Sequence, residues 1–355
     1  MLFIDPLYAG FVLFHSGNAP DPALTHRVRA QYDVTRYVAV SSDEVSHSVS
    51  SVVATGIAWA DRTTTGQAAV RLQPASDPGL EEFYPNSTIF SVDVMMGDRP
   101  ERLVIDTGAS NSVLAQHVAQ EMELSSSPVS GHPMNSFVVG DQCPALSLTL
   151  YEFPVIGVGS ASVSGISGIG LPFNTNPTGT AGVLGMDFLS EFDVVLDPTA
   201  NQLQLLPATS PTSDAIPLIG KMGLMTGNVV VNGQTAQFML DTGASLTIVS
   251  NRLAQQLNLD LDSAQPIDLV GFCGTETGHY LVLERLSMGT HDAHNLDIII
   301  LDHPVLEVLE VDGILGQNFL SRYRQHWQFG SPNEFGFPQE GRLELVPLDD
   351  RSQPE

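Results

Sequence analysis

Two aspartates, Asp106 and Asp241, each open the same pentapeptide, Asp-Thr-Gly-Ala-Ser, at residues 106–110 and 241–245. Each follows an apolar run, Leu103-Val104-Ile105 in one copy and Phe238-Met239-Leu240 in the other, so each motif sits where a buried strand exits into a loop. If the two loops meet across a twofold axis, their residue types take separate jobs. Asp106 and Asp241 supply carboxyls, while Gly108 and Gly243 let each backbone turn sharply and approach its mate. Thr107 and Thr242 can hydrogen-bond across the axis, and Ser110 and Ser245 can bond the outer carboxylate oxygens. Two carboxyls a few ångströms apart do not both ionise easily, so the pair keeps one proton over a wide pH range and titrates as a unit. The charged member can then deprotonate a water as it attacks a carbonyl, while the protonated member gives its proton to the carbonyl oxygen. That chemistry needs no metal, cofactor or covalent intermediate.

The elements that would position these residues also repeat. At the offset that superposes Asp106 on Asp241, Ala119 falls on Ala254, Gln120 on Gln255 and Leu124 on Leu259. Farther on, Gly182-Val183-Leu184-Gly185-Met186-Asp187-Phe188-Leu189 answers Gly313-Ile314-Leu315-Gly316-Gln317-Asn318-Phe319-Leu320. Two distant blocks in the same order mean a duplicated domain. Each copy opens with a strand, Phe90 to Met96 or Asn228 to Val231, then a turn at Gly97 or Gly233 and a second strand running into the motif. Behind the motif, Val113, Val118 and Met122, or Ile248, Leu253 and Leu257, have the spacing of a short amphipathic helix. A second short helix is expected at Phe188 to Phe192 and at Phe319 to Tyr323. A hairpin from Val194 to Leu206 turns around Asp197-Pro198-Thr199-Ala200-Asn201, and its counterpart carries a longer loop, Gly330 to Gly341. The stretches Ile267 to Leu283, Leu296 to Leu301 and, more loosely, Phe137 to Val158 read as short strands.

The paired motifs and the two apolar-apolar-Gly blocks, Val183-Leu184-Gly185 and Ile314-Leu315-Gly316, closely resemble the aspartic proteases of the pepsin and retroviral protease clan, over about residues 86 to 348. The motif ending in Ala-Ser and the compact halves are similar to the retropepsins within that clan. The resemblance implies a mainly β fold of two retropepsin-like acid-protease barrels related by a pseudo-twofold axis, in one chain where the family commonly uses a homodimer. It implies an aspartic endopeptidase acting on a polypeptide, as a monomer with an internal pseudo-dimer, and it makes Asp106 and Asp241 the catalytic pair. It also implies a flap, a glycine-containing hairpin over the cleft, for which Gly271-Phe272-Cys273-Gly274 is the candidate in the second copy. In the first copy Ser136 to Gln142 corresponds by position, and an additional Gly- and Ser-rich stretch, Gly157 to Gly170, has no equivalent in the second copy. Either could serve as cover there.

The resulting division is 1–85 as an N-terminal extension, 86–208 and 209–348 as the two retropepsin-like domains, and 349–355 as a tail. The extension repeats nothing and reads equally as accessory subdomain, propeptide or embellishment of the first barrel, with β-like pieces at Tyr37 to Val40 and Ala69 to Leu72. Leu206 to Pro217, rich in Pro, Ser and Thr, reads as the linker between copies.

Forty acidic against fourteen basic residues give a formal net charge of −26, which disfavours nucleic acid and anionic membrane surfaces as partners. No apolar run reaches the length of a membrane-spanning helix, so a soluble protein is expected, cytoplasmic or exported. Met1 to Phe14 is apolar but lacks a basic start and is broken by Asp5 and Pro6, which does not make a convincing signal peptide. Cys143 and Cys273, the only cysteines, are expected as unpaired thiols. His291, His294 and His303 read as exposed loop residues and not metal ligands, and Asp187 and Asp312 as caps or surface ion pairs. Two rival readings bear on function. Actin-like and sugar-kinase ATPases also carry paired Asp-x-Gly loops, but they leave the repeated apolar-apolar-Gly block without a place. A catalytically silent retropepsin-like protein that binds peptides is the other, and against it stands the retention of Asp, Thr, Gly and Ser in both motifs.

Overall fold

A computed structural model describes residues 11–15, 38–40, 49–53, 62–75, 88–128, 149–171, 179–210, 215–271 and 274–348 of the chain. Two β lobes repeat one plan. In the first, Phe90–Met96 turns at Gly97 and returns antiparallel as Arg99–Ile105. In the second, Leu224–Val231 turns at Asn232 and Gly233, whose φ angles are 47° and 88°, and returns as Gln234–Leu240. An Asn-Gly pair with both φ positive is the two-residue turn that matches strand twist.

The residues after each motif form a strand before they form a helix. Val113–Ala115 and Thr247–Val249 are fully buried strands, and the helices are only Gln116–Glu121 and Asn251–Gln256. Val113 and Ile248 therefore leave the helical stripe on which their spacing places them, because a β-branched side chain is well suited to a buried sheet. The block strands Gly182–Leu184 and Gly313–Leu315 then insert between the two motif-bearing strands. Each runs parallel to the strand entering its motif and antiparallel to the strand leaving it. The helices that follow are Met186–Leu189 and Gln317–Leu320, starting two residues earlier than expected because Gly185 and Gly316 act as extended N-caps.

The Gly- and Ser-rich stretch from Gly157 to Gly170 is barrel wall. It supplies parts of the strands Ile156–Val158, Ala161–Ser164 and Ser167–Leu171, of which the first pairs with Phe90–Met96 and the last runs parallel to Val113–Ala115. It also has a counterpart in the second lobe. Gly274–Met288 reaches Leu224–Val231, turns at Gly289 and continues as His291–Ile300 alongside Thr247–Val249. The turn glycines correspond, Gly159 at φ 58° and Gly289 at φ 60°. The small residues in the first lobe reflect crowding: a Cβ on Gly170 would overlap the Tyr151 ring, and one on Gly168 the Phe153 ring.

The lobes share a sheet. The hairpin Phe192–Asp197 and Gln202–Pro207 joins the strands Tyr323–Phe329 and Glu340–Pro347, with Val194 opposite Trp327 and Leu196 opposite Gln325. Beyond the hairpin, Ala68–Arg71 adds an outer strand by pairing with Gln202–Pro207. The same N-terminal segment sends Thr63–Thr65 to the edge of Ala161–Ser164 and Gln73–Pro74 to Phe90–Met96. Residues 62–75 thus embellish the first barrel and the shared sheet, while Phe11–His15, Val49–Val53 and Val38–Val40 form a separate three-stranded sheet. Trp327 is fully buried on this shared sheet, its indole N–H donating to Gln325 Oε1 at 3.1 Å. Trp327→Ala is expected to cost about 3–5 kcal/mol, read as a lowered urea midpoint.

Candidate active site

Asp106 and Asp241 stand at the ends of the strands Arg99–Ile105 and Gln234–Leu240, each about 1% exposed or less. The block strand holds each loop from behind through matching backbone bonds. Asp106 N–H donates to Leu184 O at 3.1 Å and Asp241 N–H to Leu315 O at 3.0 Å. Met186 N–H and Gln317 N–H donate to Ala109 O and Ala244 O, both at 2.7 Å. Asp187 N–H and Asn318 N–H donate to Ser110 O at 3.0 Å and Ser245 O at 3.1 Å. The loops are therefore clamped on both sides of the glycine that lets them turn.

Thr107 and Thr242 join the lobes by four reciprocal bonds. Thr107 N–H donates to Thr242 Oγ1 at 3.0 Å, and Thr242 N–H donates to Thr107 Oγ1 at 3.1 Å. Each hydroxyl in turn donates to the opposite lobe's strand, Thr107 to Leu240 O at 3.0 Å and Thr242 to Ile105 O at 2.9 Å. This is the cross-axis bonding expected of the threonines, and every hydroxyl both donates and accepts.

The carboxyls meet because the glycines leave room. A Cβ placed on Gly108 would stand 2.6 Å from Asp241 Oδ1, and one on Gly243 would stand 2.5 Å from Asp106 Oδ2, so no larger residue fits either position. Within each loop the glycine N–H bonds its own aspartate, Gly108 to Asp106 Oδ1 at 2.8 Å and Gly243 to Asp241 Oδ1 at 2.7 Å. Burial pushes the Asp241 carboxyl up to about 7, against the opposing pull of hydrogen bonds from Asp106 and from the backbone of Gly243, Ala244 and Gly108. A buried carboxyl facing another is disfavoured as an anion, which is the condition for the pair to hold a proton near neutrality. Ser110 and Ser245 are buried in the same loops.

More than half of the chain, residues 92–191 and again 227–322, matches the sequence family described as gag-polyprotein putative aspartyl protease. The chain belongs to that family. Each match spans one motif and one apolar-apolar-Gly block, so the chain carries the retropepsin-like unit in tandem. No curated protein matches it. Among solved structures it is similar to the crystal structure of a retropepsin-like aspartic protease from Rickettsia conorii, at 20% identity and a TM-score of 0.27, covering 37% of this chain and 92% of the other.

Beside this family core, one position expected as a cap or surface ion pair, Asp187, supports the first motif loop. Asp187 is buried and not a surface ion-pair residue: its carboxylate accepts from Ser112 N–H at 2.7 Å and Ser112 Oγ at 2.6 Å, and Ser112 Oγ accepts from Gly185 N–H at 3.1 Å. In the second lobe Asn318 Oδ1 accepts from Thr247 Oγ1 at 2.8 Å, and Thr247 Oγ1 accepts from Gly316 N–H at 3.3 Å. The signal was present in the repeat, since the motif offset sets Ser112 on Thr247 and the block offset sets Asp187 on Asn318. Asp312 does form the ion pair expected of it, with Arg252 at 2.7 Å.

The flap candidate forms a hairpin, Gln265–Gly271 against Gly274–Met288, closed by Gly271 opposite Gly274. Its tip residues Phe272 and Cys273 lie outside the described residues, as do Ser136 to Gln142 and Cys143. The histidines do not share a polar loop. His291 and His294 lie on the strand His291–Ile300, and His303 is buried, its Nδ1 accepting from Val305 N–H at the start of a helix. Among the described residues no three His, Cys, Asp or Glu side chains converge as a metal site, and no helix is long and apolar enough to cross a membrane.

Burial also pushes Asp187 up, to about 6, although the Ser112 bonds and the Arg62 charge oppose the shift. Asp187 and Asp241 thus bind a proton more tightly folded than unfolded. Their contribution to stability is complete below the ordinary carboxylate value of 3.8 and is lost as pH rises through about 6 and about 7. The melting temperature should fall over that window, and Asp187→Asn should flatten the lower part of the fall. Thr107→Val, which removes a buried donor and acceptor while keeping the shape, should cost about 1–3 kcal/mol in urea unfolding.

Proposed function

We propose that the chain is an aspartic endopeptidase that hydrolyses peptide bonds with a water activated between Asp106 and Asp241, one aspartate from each repeat. The single observation that carries this reading is the facing of two buried carboxyls across the paired glycines. In the singly protonated pair, the ionised aspartate takes a proton from the water as its oxygen bonds to the scissile carbonyl carbon. The other aspartate gives its proton to the carbonyl oxygen, forming a tetrahedral diol. Collapse returns a proton to the leaving nitrogen and breaks the C–N bond. Proton transfers of this kind contribute about 10²–10⁴ in rate.

The threonine network supports this chemistry by holding both carboxyls in place before substrate arrives, so that little reorganisation remains for the reaction itself. The second-lobe hairpin around Gly271 to Gly274 is the proposed cover for the substrate. Membership of a protease family favours a polypeptide as that substrate, and a chain with net charge −26 tolerates neutral or basic polypeptides better than acidic ones.

Asp106→Asn and Asp241→Asn should each remove cleavage of a peptide library, by about 10²-fold or more, because neither carboxyl serves alone. An active single variant would sink the mechanism, and a wild type that binds peptides without cutting them would establish the silent alternative. The pH profile of kcat/KM should fall on its alkaline side as pH rises through about 7, where the pair gives up its shared proton. A hydroxyl-bearing transition-state mimic of the statine type should inhibit by taking the place of the diol.

A further inference from the structure

The two loop supports differ in where their arginine comes from. In the second lobe, Arg322 Nε donates to Asn318 O at 2.7 Å, four residues back along the chain. Four residues beyond Asp187, the first lobe has Glu191 in place of that arginine. An ionised glutamate has no donor to offer a carbonyl. The bond is nevertheless made, because Arg62 enters from the N-terminal segment and its Nη1 donates to Asp187 O.

Glu191 holds the visitor in place. Arg62 Nη2 lies 2.7 Å from Glu191 Oε1, with the Arg62 side chain only 5% exposed, and Thr64 Oγ1 donates to the other Glu191 oxygen. The backbone that delivers Arg62 is fixed to the first barrel and to the shared sheet. Thr63–Thr65 pairs with Ala161–Ser164, Ala68–Arg71 with Gln202–Pro207, and Gln73–Pro74 with Phe90–Met96. A guanidinium this buried is destabilising unless it is paired and hydrogen-bonded, and here a carboxylate and a carbonyl meet both needs.

The path from Arg62 to the dyad is short. Asp187, whose carbonyl Arg62 holds, grips the first motif loop three times: its N–H at Ser110 O and its carboxylate at Ser112 N–H and Oγ. Building on the protease reading, we propose that Arg62 is a positioning residue for the Asp106 loop, doing from the N-terminal segment what Arg322 does for the Asp241 loop. The functional unit therefore includes residues 62–74, ahead of the region that matches the family.

The test compares wild type, Arg62→Gln and the double variant Arg62→Gln/Glu191→Arg. Peptide cleavage is measured together with amide hydrogen exchange in residues 106–112 and 241–247. Arg62→Gln should lower kcat by about 10- to 100-fold, as expected for a carboxyl displaced by roughly an ångström, with KM nearly unchanged. Exchange should quicken in 106–112 and not in 241–247. Glu191→Arg should reverse both effects, because an arginine at 191 stands to Asp187 as Arg322 stands to Asn318. Unchanged kcat and exchange in Arg62→Gln, equal quickening of both loops, or a loss that Glu191→Arg does not restore would each overturn the proposal. If Arg62→Gln does not fold, recovery of a folded protein in the double variant supports the proposal and its failure overturns it. If the wild type cuts no peptide, the protease reading fails separately, and exchange alone decides the role of Arg62.

Discussion

Everything in this fold serves one constraint: two carboxyls that repel each other when charged have to be kept together out of water. Left to themselves the loops would part, since separation restores hydration and relieves repulsion. The four threonine bonds oppose this, tying each loop to the strand that feeds the other. Because each threonine uses both its hydroxyl and its N–H, neither loop can shift without leaving buried polar groups unsatisfied on both sides. The block strands behind the loops, and the sheet shared between lobes, extend that local requirement into a rigid frame.

The frame is twofold in its backbone and not in its side chains. Asp187 answers Asn318, Met186 answers Gln317 and Glu191 answers Arg322. Gln317 Nε2 donates to Thr242 O at 3.1 Å, a bond that a methionine cannot make in the first lobe. One loop is thus backed by neutral amides and a local arginine, the other by a buried carboxylate and an arginine brought from more than a hundred residues away. Two chemically equal aspartates consequently sit in unequal surroundings.

Much of this was legible in the sequence because it repeats. The pentapeptide and the apolar-apolar-Gly block marked the strands, the loops and their mutual support, and residue chemistry alone assigned the threonines and glycines their roles. The helix starts were misplaced, since periodicity does not distinguish buried β-branched residues such as Val113 and Ile248 from one face of a helix. Gly157 to Gly170 looked unmatched because its counterpart has the same pairing but different residues: the glycines answer ring crowding from Tyr151 and Phe153, not a shared motif. Arg62 was invisible for a different reason. Its partners, Asp187 and Glu191, lie far along the chain, and nothing local distinguishes it from any other arginine.

The shared sheet also has a consequence in time. Phe192–Asp197 is made well before its neighbour Tyr323–Phe329, so during synthesis the first lobe exposes a strand edge whose backbone groups have no sheet partner. On one side Ala68–Arg71 and Gln202–Pro207 are already available to extend the hairpin. The other side stays open until Tyr323–Phe329 arrives, and an open edge pairs readily with any similar strand. Tethering the second lobe to the first makes that neighbour a local one, so fusion of the two copies acts as a guard against pairing between chains as well as the means of joining two aspartates.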